Sequence, residues 1–336
     1  MAINAYFHVT ATGAGTKSGN SWANAMDEPA FETHLEGAVV AGDVHFVMDG
    51  SYTLDSDIDS SARDGTTVSP IVIIGVKTGT TNEGAAVVYS DWSRVAGDRP
   101  FFDGVTFTFK VGDYYVIRNI DFTSADNIAV VQAGAYSVVE NCKFEDTFAA
   151  GVASGLSMQG AYGVIVNNEM LSTNNRGLTA NSNSRVVFNY IHDTGNQGIV
   201  VTHAAVYAFN ILDTCAIGID GGGFFGNTVL NNTFYETDVG VDETTGYSWV
   251  CINNIMEGNN TDGFKWTTQT DINFFWNNHG DDARCNDMWD LVDTTTVFQD
   301  YEVSTGDPKF TTPGSDFSLQ SDSPNIDNGM SIILGV

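Results

Sequence analysis

Positive charge is scarce in this sequence. Thirteen Lys and Arg stand against 42 Asp and Glu in 336 residues, a formal net charge of −29. A surface of that sign repels phosphate backbones, which excludes nucleic acid and polyphosphates as ordinary partners. Cysteine is scarce too. Its four copies, Cys142, Cys215, Cys251 and Cys285, lie far apart with no Cys-x-x-Cys, so no zinc or redox motif is encoded. No apolar run approaches the length of a membrane-spanning helix. Residues 1–10 lack the basic start and long apolar core of a secretion signal. A Ser-His-Asp signature, a phosphate loop and His-Glu-x-x-His are absent. The six histidines, at 8, 34, 45, 192, 203 and 279, do not cluster as a zinc site would. His192 reads as a turn histidine bonded to its neighbours.

What is present is a recurrence. Asn119, Asn141, Asn168, Asn189, Asn210, Asn231, Asn253 and Asn277 follow one another at intervals of 21 to 27 residues, each after a short apolar run. Those runs are β-rich, as in Val164-Ile165-Val166, Val186-Val187-Phe188 and Val229-Leu230. After most anchors comes glycine with an apolar residue: Gly151-Val152, Gly177-Leu178, Gly198-Ile199, Gly218-Ile219, Gly240-Val241, Gly263-Phe264. Short β-branched runs bounded by Asn, Asp, Gly and Thr are strands and turns. A dense leucine pattern, which a helical leucine-rich repeat needs, is missing. A repeat near twenty residues is too small to bury its own core and must stack on the next. The sequence therefore predicts an all-β fold, a single-stranded right-handed parallel β-helix. The recurrent Asn is expected at an inner turn, its amide bonding the equivalent amide one coil away.

One domain spans 1–336 in this reading. Residues 1–50 form the N-terminal cap, 51–278 the coils and 279–336 the C-terminal cap. A short capping helix is predicted within 27–41. Asp27 can cap it, Pro29 suits its first turn, and Phe31, Leu35, Ala38 and Val39 share one face. Buried free thiols are the expected state of the cysteines, with one disulfide between neighbouring coils as the other option.

The phrases Ala180 to Ile199 and Tyr207 to Gly218 resemble the generic repeats of the parallel β-helix (pectin-lyase-like) superfamily, found in carbohydrate-active enzymes and viral tail proteins. The start, His8 to Gly13 and Gly19 to Ala25, resembles the usual beginning of such domains, as does Gly42 to Thr53. Gly306-Asp307-Pro308-Lys309-Phe310 and Phe317 to Asp327 resemble their usual end. The resemblance covers almost the whole chain and implies the fold. It implies function weakly, because the superfamily holds lyases, hydrolases, epimerases and inert adhesins.

Stacked coils align equivalent residues in columns. The residue after each Gly-apolar pair should face outward, giving Ala153, Thr179, Val200, Asp220, Asp242 and Lys265. Asp220 and Asp242 are then neighbours, with Glu243 one position further on. Two carboxylates about 5 Å apart match a retaining glycosidase, and about 6.5–9.5 Å an inverting one. Asp220, Asp242 and Glu243 are the candidate catalytic groups. Arg176, His203, Lys265, Trp266 and Phe224 are the candidate substrate contacts. Phe225, Tyr247 and Trp249 add flat faces on which sugar rings could stack. Solvated acids and core aromatics are the plainer alternatives.

A lyase needs a cation to neutralise the substrate carboxylate and a base to take a proton. Lys265, Arg176 and His203 are the candidates. The resemblance to alginate and pectate lyases is one of fold, without their basic clusters or motifs. Asn260-Thr261-Asp262-Gly263-Phe264 also resembles the Asn-Thr-Asp motif of polygalacturonases, with Asp281-Asp282 about one coil later. That resemblance would make Asp262, Asp281 and Asp282 the acid and base. The family's Gly-His-Gly and Arg-Ile-Lys motifs are absent. Acidic turns suit Ca²⁺ through oxygen ligands, yet no EF-hand or nonapeptide spacing occurs and no cofactor is required.

The expected function is recognition of a polysaccharide on the exposed strand face, with cleavage by a glycoside hydrolase or lyase mechanism. The competing class is a non-catalytic structural or adhesive protein, such as a viral tail-spike component working as a homotrimer. Either role places the chain outside the cell or on a virion, with no membrane insertion.

Overall fold

The computed structural model describes residues 2–78, 99–104, 106–124, 129–146, 154–172, 176–221, 226–243, 248–259, 261–266, 273–276, 278–280, 287–291, 297–300, 308–312 and 315–323. The chain divides into two compact units, Met1–Ser184 and Arg185–Val336. Each unit is built from three parallel sheets, and from Asp43–Met48 to Val297–Asp300 successive strands of the chain visit the three in turn.

In Met1–Ser184 the first sheet holds Ala5–Val9, Asp43–Met48, Ile71–Val76, Tyr115–Arg118, Val138–Glu140 and Val164–Val166. The other two carry the strands that follow each of these, for example Lys143–Asp146 and Ser154–Met158. Parallel register stacks like on like. Ile73, Ile117, Val139 and Ile165 form one fully buried column. Phe102, Phe122 and Phe144 form another, with ring centroids 5.7 and 5.5 Å apart. Each such side chain contributes about 1.5–3 kcal/mol by leaving water. The capping helix runs Glu28–Gly37, and the Asp27 side chain accepts the Ala30 N–H at its start. Its Phe31 and Leu35 are wholly buried, with the Phe31 ring 6.3 Å from Phe102. The helix thus covers the apolar interior that the first coil would expose.

Arg185–Val336 repeats the pattern. Its inward columns are Val186, Tyr207, Val229 and Cys251 on the first sheet, and Ile199, Ile219, Val241 and Phe264 on the third. Phe310–Thr312 and Asp316–Leu319 form an antiparallel hairpin. Its Phe310 and Phe317 rings lie 6.3 and 5.4 Å from the ring of Tyr235 on the second sheet.

The expected asparagine column proves to be two columns. After each first-sheet strand from Tyr115–Arg118 to Trp249–Ile252, one residue takes the left-handed conformation: Asn119, Asn141, Asn167, Phe188, Phe209, Asn231 and Asn253, with φ between 52° and 59°. The next residue turns inward. Buried Asn189, Asn210, Asn232, Asn254 and Asn278 form the inner ladder of Arg185–Val336. Each of the first four donates its side-chain amide and its backbone N–H to the next side-chain oxygen, at 2.9–3.1 Å. Asn119, Asn141, Asn231 and Asn253, expected inside, therefore lie one residue too early. Asn277 lies outside the described residues. An inner amide must be fully bonded because an orphaned buried polar group is costly, whereas the left-handed position asks mainly for backbone tolerance. In Met1–Ser184 the inner position holds Ile120, Cys142 and Asn168, and only Asn168 carries an amide, donating to Val139 O at 3.0 Å. There Asn119 and Asn141 bond each other on the outer column at 2.7 Å instead. Cys142, Cys215 and Cys251 are buried free thiols, and Cys285 lies outside the described residues.

Candidate functional site

The Gly-apolar pairs set the third sheet. In Arg185–Val336 the paired residues include Ile199, Ile219, Val241 and Phe264, all pointing inward. Alternation then turns the next residue outward. Val200, Asp220, Asp242 and Lys265 stand opposite one another on successive strands, Gln197–Val201, Ile217–Gly221, Val239–Glu243 and Asp262–Trp266. In-register parallel strands lie about 4.8 Å apart, so two carboxylates and an ammonium share one row. The Lys265 ammonium is 3.8 Å from the Asp242 carboxylate. The Gln197 side-chain amide donates to Asp220 Oδ2 at 3.0 Å. Gln197 was not expected at the site. It lies on the preceding coil three residues before Val200, and only strand register reveals it.

Glycine is obligatory beside this row. A Cβ on Gly221 would lie 2.3 Å from Trp249 Cζ2 and 2.5 Å from Glu243 Oε2. That contact also locates Glu243. Its side chain falls on the inner side of the strand, with 0% exposure against 7% for Asp242. One residue along a strand reverses the face, so Glu243 and Asp220 do not share the outer row. Trp249 is likewise fully buried, a core side chain rather than a platform for sugars.

The remaining expected groups are dispersed. Arg176 opens the strand Arg176–Ala180 in the other unit, Met1–Ser184, where it pairs with Ser154. Thr179 stands opposite Ser157. The Gly-apolar pair in register there is Gly155-Leu156, since Leu156 faces Leu178. The proposed Gly151-Val152-Ala153 lies outside the described residues. His203 is exposed on the turn after Gln197–Val201. Trp266 pairs with Glu243 through the backbone. Its side chain, with Phe224, Phe225 and Tyr247, lies outside the described residues. Asp262 is buried at the start of its strand, and Asp281 and Asp282 lie outside the described residues. Among the described residues no group of three or more His, Cys, Asp or Glu could hold a metal ion.

A second polar cluster sits on the second sheet of Arg185–Val336. Tyr190 O–H donates to Asp213 Oδ2 at 2.9 Å, and Thr214 O–H to Asp213 Oδ1 at 2.8 Å. Burial pushes the Asp213 carboxyl above its usual range. The His192 ring stacks 4.4 Å from Tyr190, with Nδ1 2.8 Å from Asp193 Oδ2. Phe317 of the hairpin approaches the Tyr190 ring at 6.2 Å. His192 bonds its neighbour as expected, but it ends the strand Tyr190–His192 and is not a turn residue.

No protein-family model matches the sequence, and no curated protein matches it. In three dimensions the chain aligns with solved polysaccharide lyases. The pectate lyase Pel9A superposes with a TM-score of 0.61 at 14% identity, over 100% of this chain and 94% of that one. A mannuronic acid-specific family 6 polysaccharide lyase from human gut microbiota gives a TM-score of 0.57 at 14% identity, over 83% of this chain and 65% of that one. The family 6 alginate lyase AlyGC gives 0.54 at 14% identity, over 82% of this chain and 38% of that one. This chain therefore spans less than two thirds of the length of both family 6 lyases. Identities this low speak for architecture, and on that ground the chain is a right-handed parallel β-helix.

Proposed function

We propose that this protein binds a polysaccharide along the outward face of the third sheet in Arg185–Val336 and cleaves it there. The observation that carries the reading is the row Asp220, Asp242, Lys265 in strict register. Adjacent parallel strands lie about 4.8 Å apart, a spacing that suits the carboxyl separation of about 5 Å of a retaining glycosidase. Asp242, ion-paired with Lys265 at 3.8 Å, is the nucleophile of this reading. Asp220 is the proton donor, positioned by Gln197. Lys265 orients the Asp242 carboxylate through that ion pair.

Structural neighbours lend support at the level of architecture. Besides the lyases, one is XylC in complex with xylose, at a TM-score of 0.51 and 12% identity. The net charge of −29 argues for a neutral glycan, because a polyuronate would be repelled unless Ca²⁺ bridged the two.

A reducing-end assay over neutral and acidic glycans, read beside the ultraviolet absorbance of unsaturated uronates, tests the reading. Asp220→Asn and Asp242→Asn should each cost about 10²-fold or more in kcat with the melting temperature retained. Unsaturated products would replace the hydrolytic mechanism with elimination. Unchanged turnover in both variants would remove this row from the chemistry.

A further inference from the structure

The capping helix holds two imidazoles in an enclosed place. His34, in its last turn, faces His45 of the first-sheet strand Asp43–Met48, with ring centroids 5.2 Å apart. His45 is fully buried, and its Nδ1 lies 3.2 Å from Val72 O. The Nε2 atoms of both rings are buried without a hydrogen-bond partner. Aromatic rings close the space. Phe7 lies 4.2 Å from His34 and 5.2 Å from His45, and Phe31 lies 5.6 Å from His45. The charged and titratable groups facing the pair are the two rings themselves and Asp43. Asp43 Oδ2 is 3.9 Å from His34 Nε2, beyond hydrogen-bond reach. That carboxylate is already bonded to Asn4 Nδ2 at 2.8 Å and Val40 N at 2.9 Å.

We propose that the helix Glu28–Gly37 is a proton-operated plug, docked on the first coil while His34 and His45 are uncharged and released when acid charges both. Two cations cannot sit 5 Å apart in an apolar enclosure with one preoccupied carboxylate for company. Burial holds the His34 ring below its usual range, and burial followed by the nearby His34 holds His45 at about 3. A ring that ionises freely only after release favours the docked helix above about pH 6.5. That preference is lost as pH falls toward about 3.

Glu28 works the opposite way at the other end of the helix. Burial, then the charges of Glu32, Asp55 and Asp27, raise its carboxyl from 4.5 to about 7. The docked helix therefore keeps a proton there that the released helix gives up, and docking gains as pH falls from about 7 to about 4.5. Glu28 thus offsets one imidazole across that interval. Below it nothing opposes the histidines, and each proton taken up shifts the opening equilibrium about tenfold per pH unit.

Amide hydrogen exchange of the helix, corrected for the intrinsic pH dependence, tests this on the full chain. The wild type should open up to about tenfold more per unit between pH 6.5 and 4.5 and up to about 100-fold more per unit below 4.5, while amides of Val138–Glu140 stay protected. Glu28→Gln should steepen the opening between pH 6.5 and 4.5 toward about 100-fold per unit. The double substitution His34→Leu with His45→Phe should flatten the acid limb. An acid limb unchanged in the double variant, or loss of the coil amides together with the helix, overturns the plug. Should the double variant not fold, imidazole titration of the wild type by NMR decides. A His45 ring that titrates near 6.5 while the helix is docked overturns the proposal, and one silent down to about pH 4 upholds it.

Discussion

The two units solve the same corner differently. In Arg185–Val336 an unbroken line of buried amides, Asn189 to Asn278, bonds inside the turn. The left-handed position outside it can then carry Phe188 and Phe209, which stack at 5.0 Å and stand 53% and 40% exposed. In Met1–Ser184 the inner position is apolar at Ile120 and Cys142, and the amides Asn119 and Asn141 bond on the outside. Arg99 adds a further tie there, donating to the carbonyl and side-chain oxygens of Asn141. At another left-handed turn of that unit Tyr114, Tyr136 and Tyr162 stack at 4.8 and 4.9 Å. A tight turn thus needs one satisfied column, inside or out, and the other column is free to vary.

That comparison can be broken most severely at Asn232. Its oxygen accepts from the amide and the N–H of Asn210, and its amide donates to Tyr207 O and Asn254 Oδ1. Asn232→Leu should cost about 3–5 kcal/mol, because several buried groups lose partners at once. Asn141→Ala, on the outer column, should cost only about 1–2 kcal/mol, from lost half-buried bonds and left-handed strain. Urea denaturation of the pair measures the gap, and equal costs would erase the distinction. Gly221→Ala should cost about 1–3 kcal/mol, since its Cβ meets the Trp249 ring and the Glu243 carboxyl; thermal melting reads it. Tyr136→Asn keeps a residue tolerant of the left-handed turn while deleting the middle ring of the stack. A loss of about 1 kcal/mol in thermal melting is expected. The smallest effect is a gain. Cys142 N–H already donates to Asn168 Oδ1 at 2.9 Å. Cys142→Asn places a second donor beside that oxygen and should stabilise by up to about 1 kcal/mol in the same denaturation experiment.

The period near 21 residues was enough to read the fold, because each coil must return to the same corner. The register within the corner was harder. The solitary Asn189 and Asn210 are inner residues as expected, whereas the equally solitary Asn119 and Asn141 take the left-handed position before inner Ile120 and Cys142. Where two stand together, spacing alone cannot tell the inward amide from the left-handed one: the second member is inside at Asn168, as expected, and also at Asn232 and Asn254, where the first was expected. The Gly-apolar pairs carried more information. From Gly218-Ile219 and Gly240-Val241 the pairing of Asp220 with Asp242 follows directly, and the strands have it. The same alternation sends Glu243 inward, which a list of nearby acids obscures. Gln197 was hidden because it belongs to another coil. The histidine pair between the capping helix and the first sheet was illegible because ten residues of chain intervene between rings that only packing brings together.

The inner amides of Asn210, Asn232 and Asn254 recur at steps of 22 residues and make interchangeable bonds. Length is therefore adjustable in whole turns. Excising 211–232 would join Asn210 to Thr233, hand the bonds of Asn232 to Asn254 and bring Val200 opposite Asp242. Such a shortened chain would keep its corner and lose one carboxylate of the acidic row. A lineage built this way can lengthen, shorten or re-letter its outer rows without redesigning the interior that carries them.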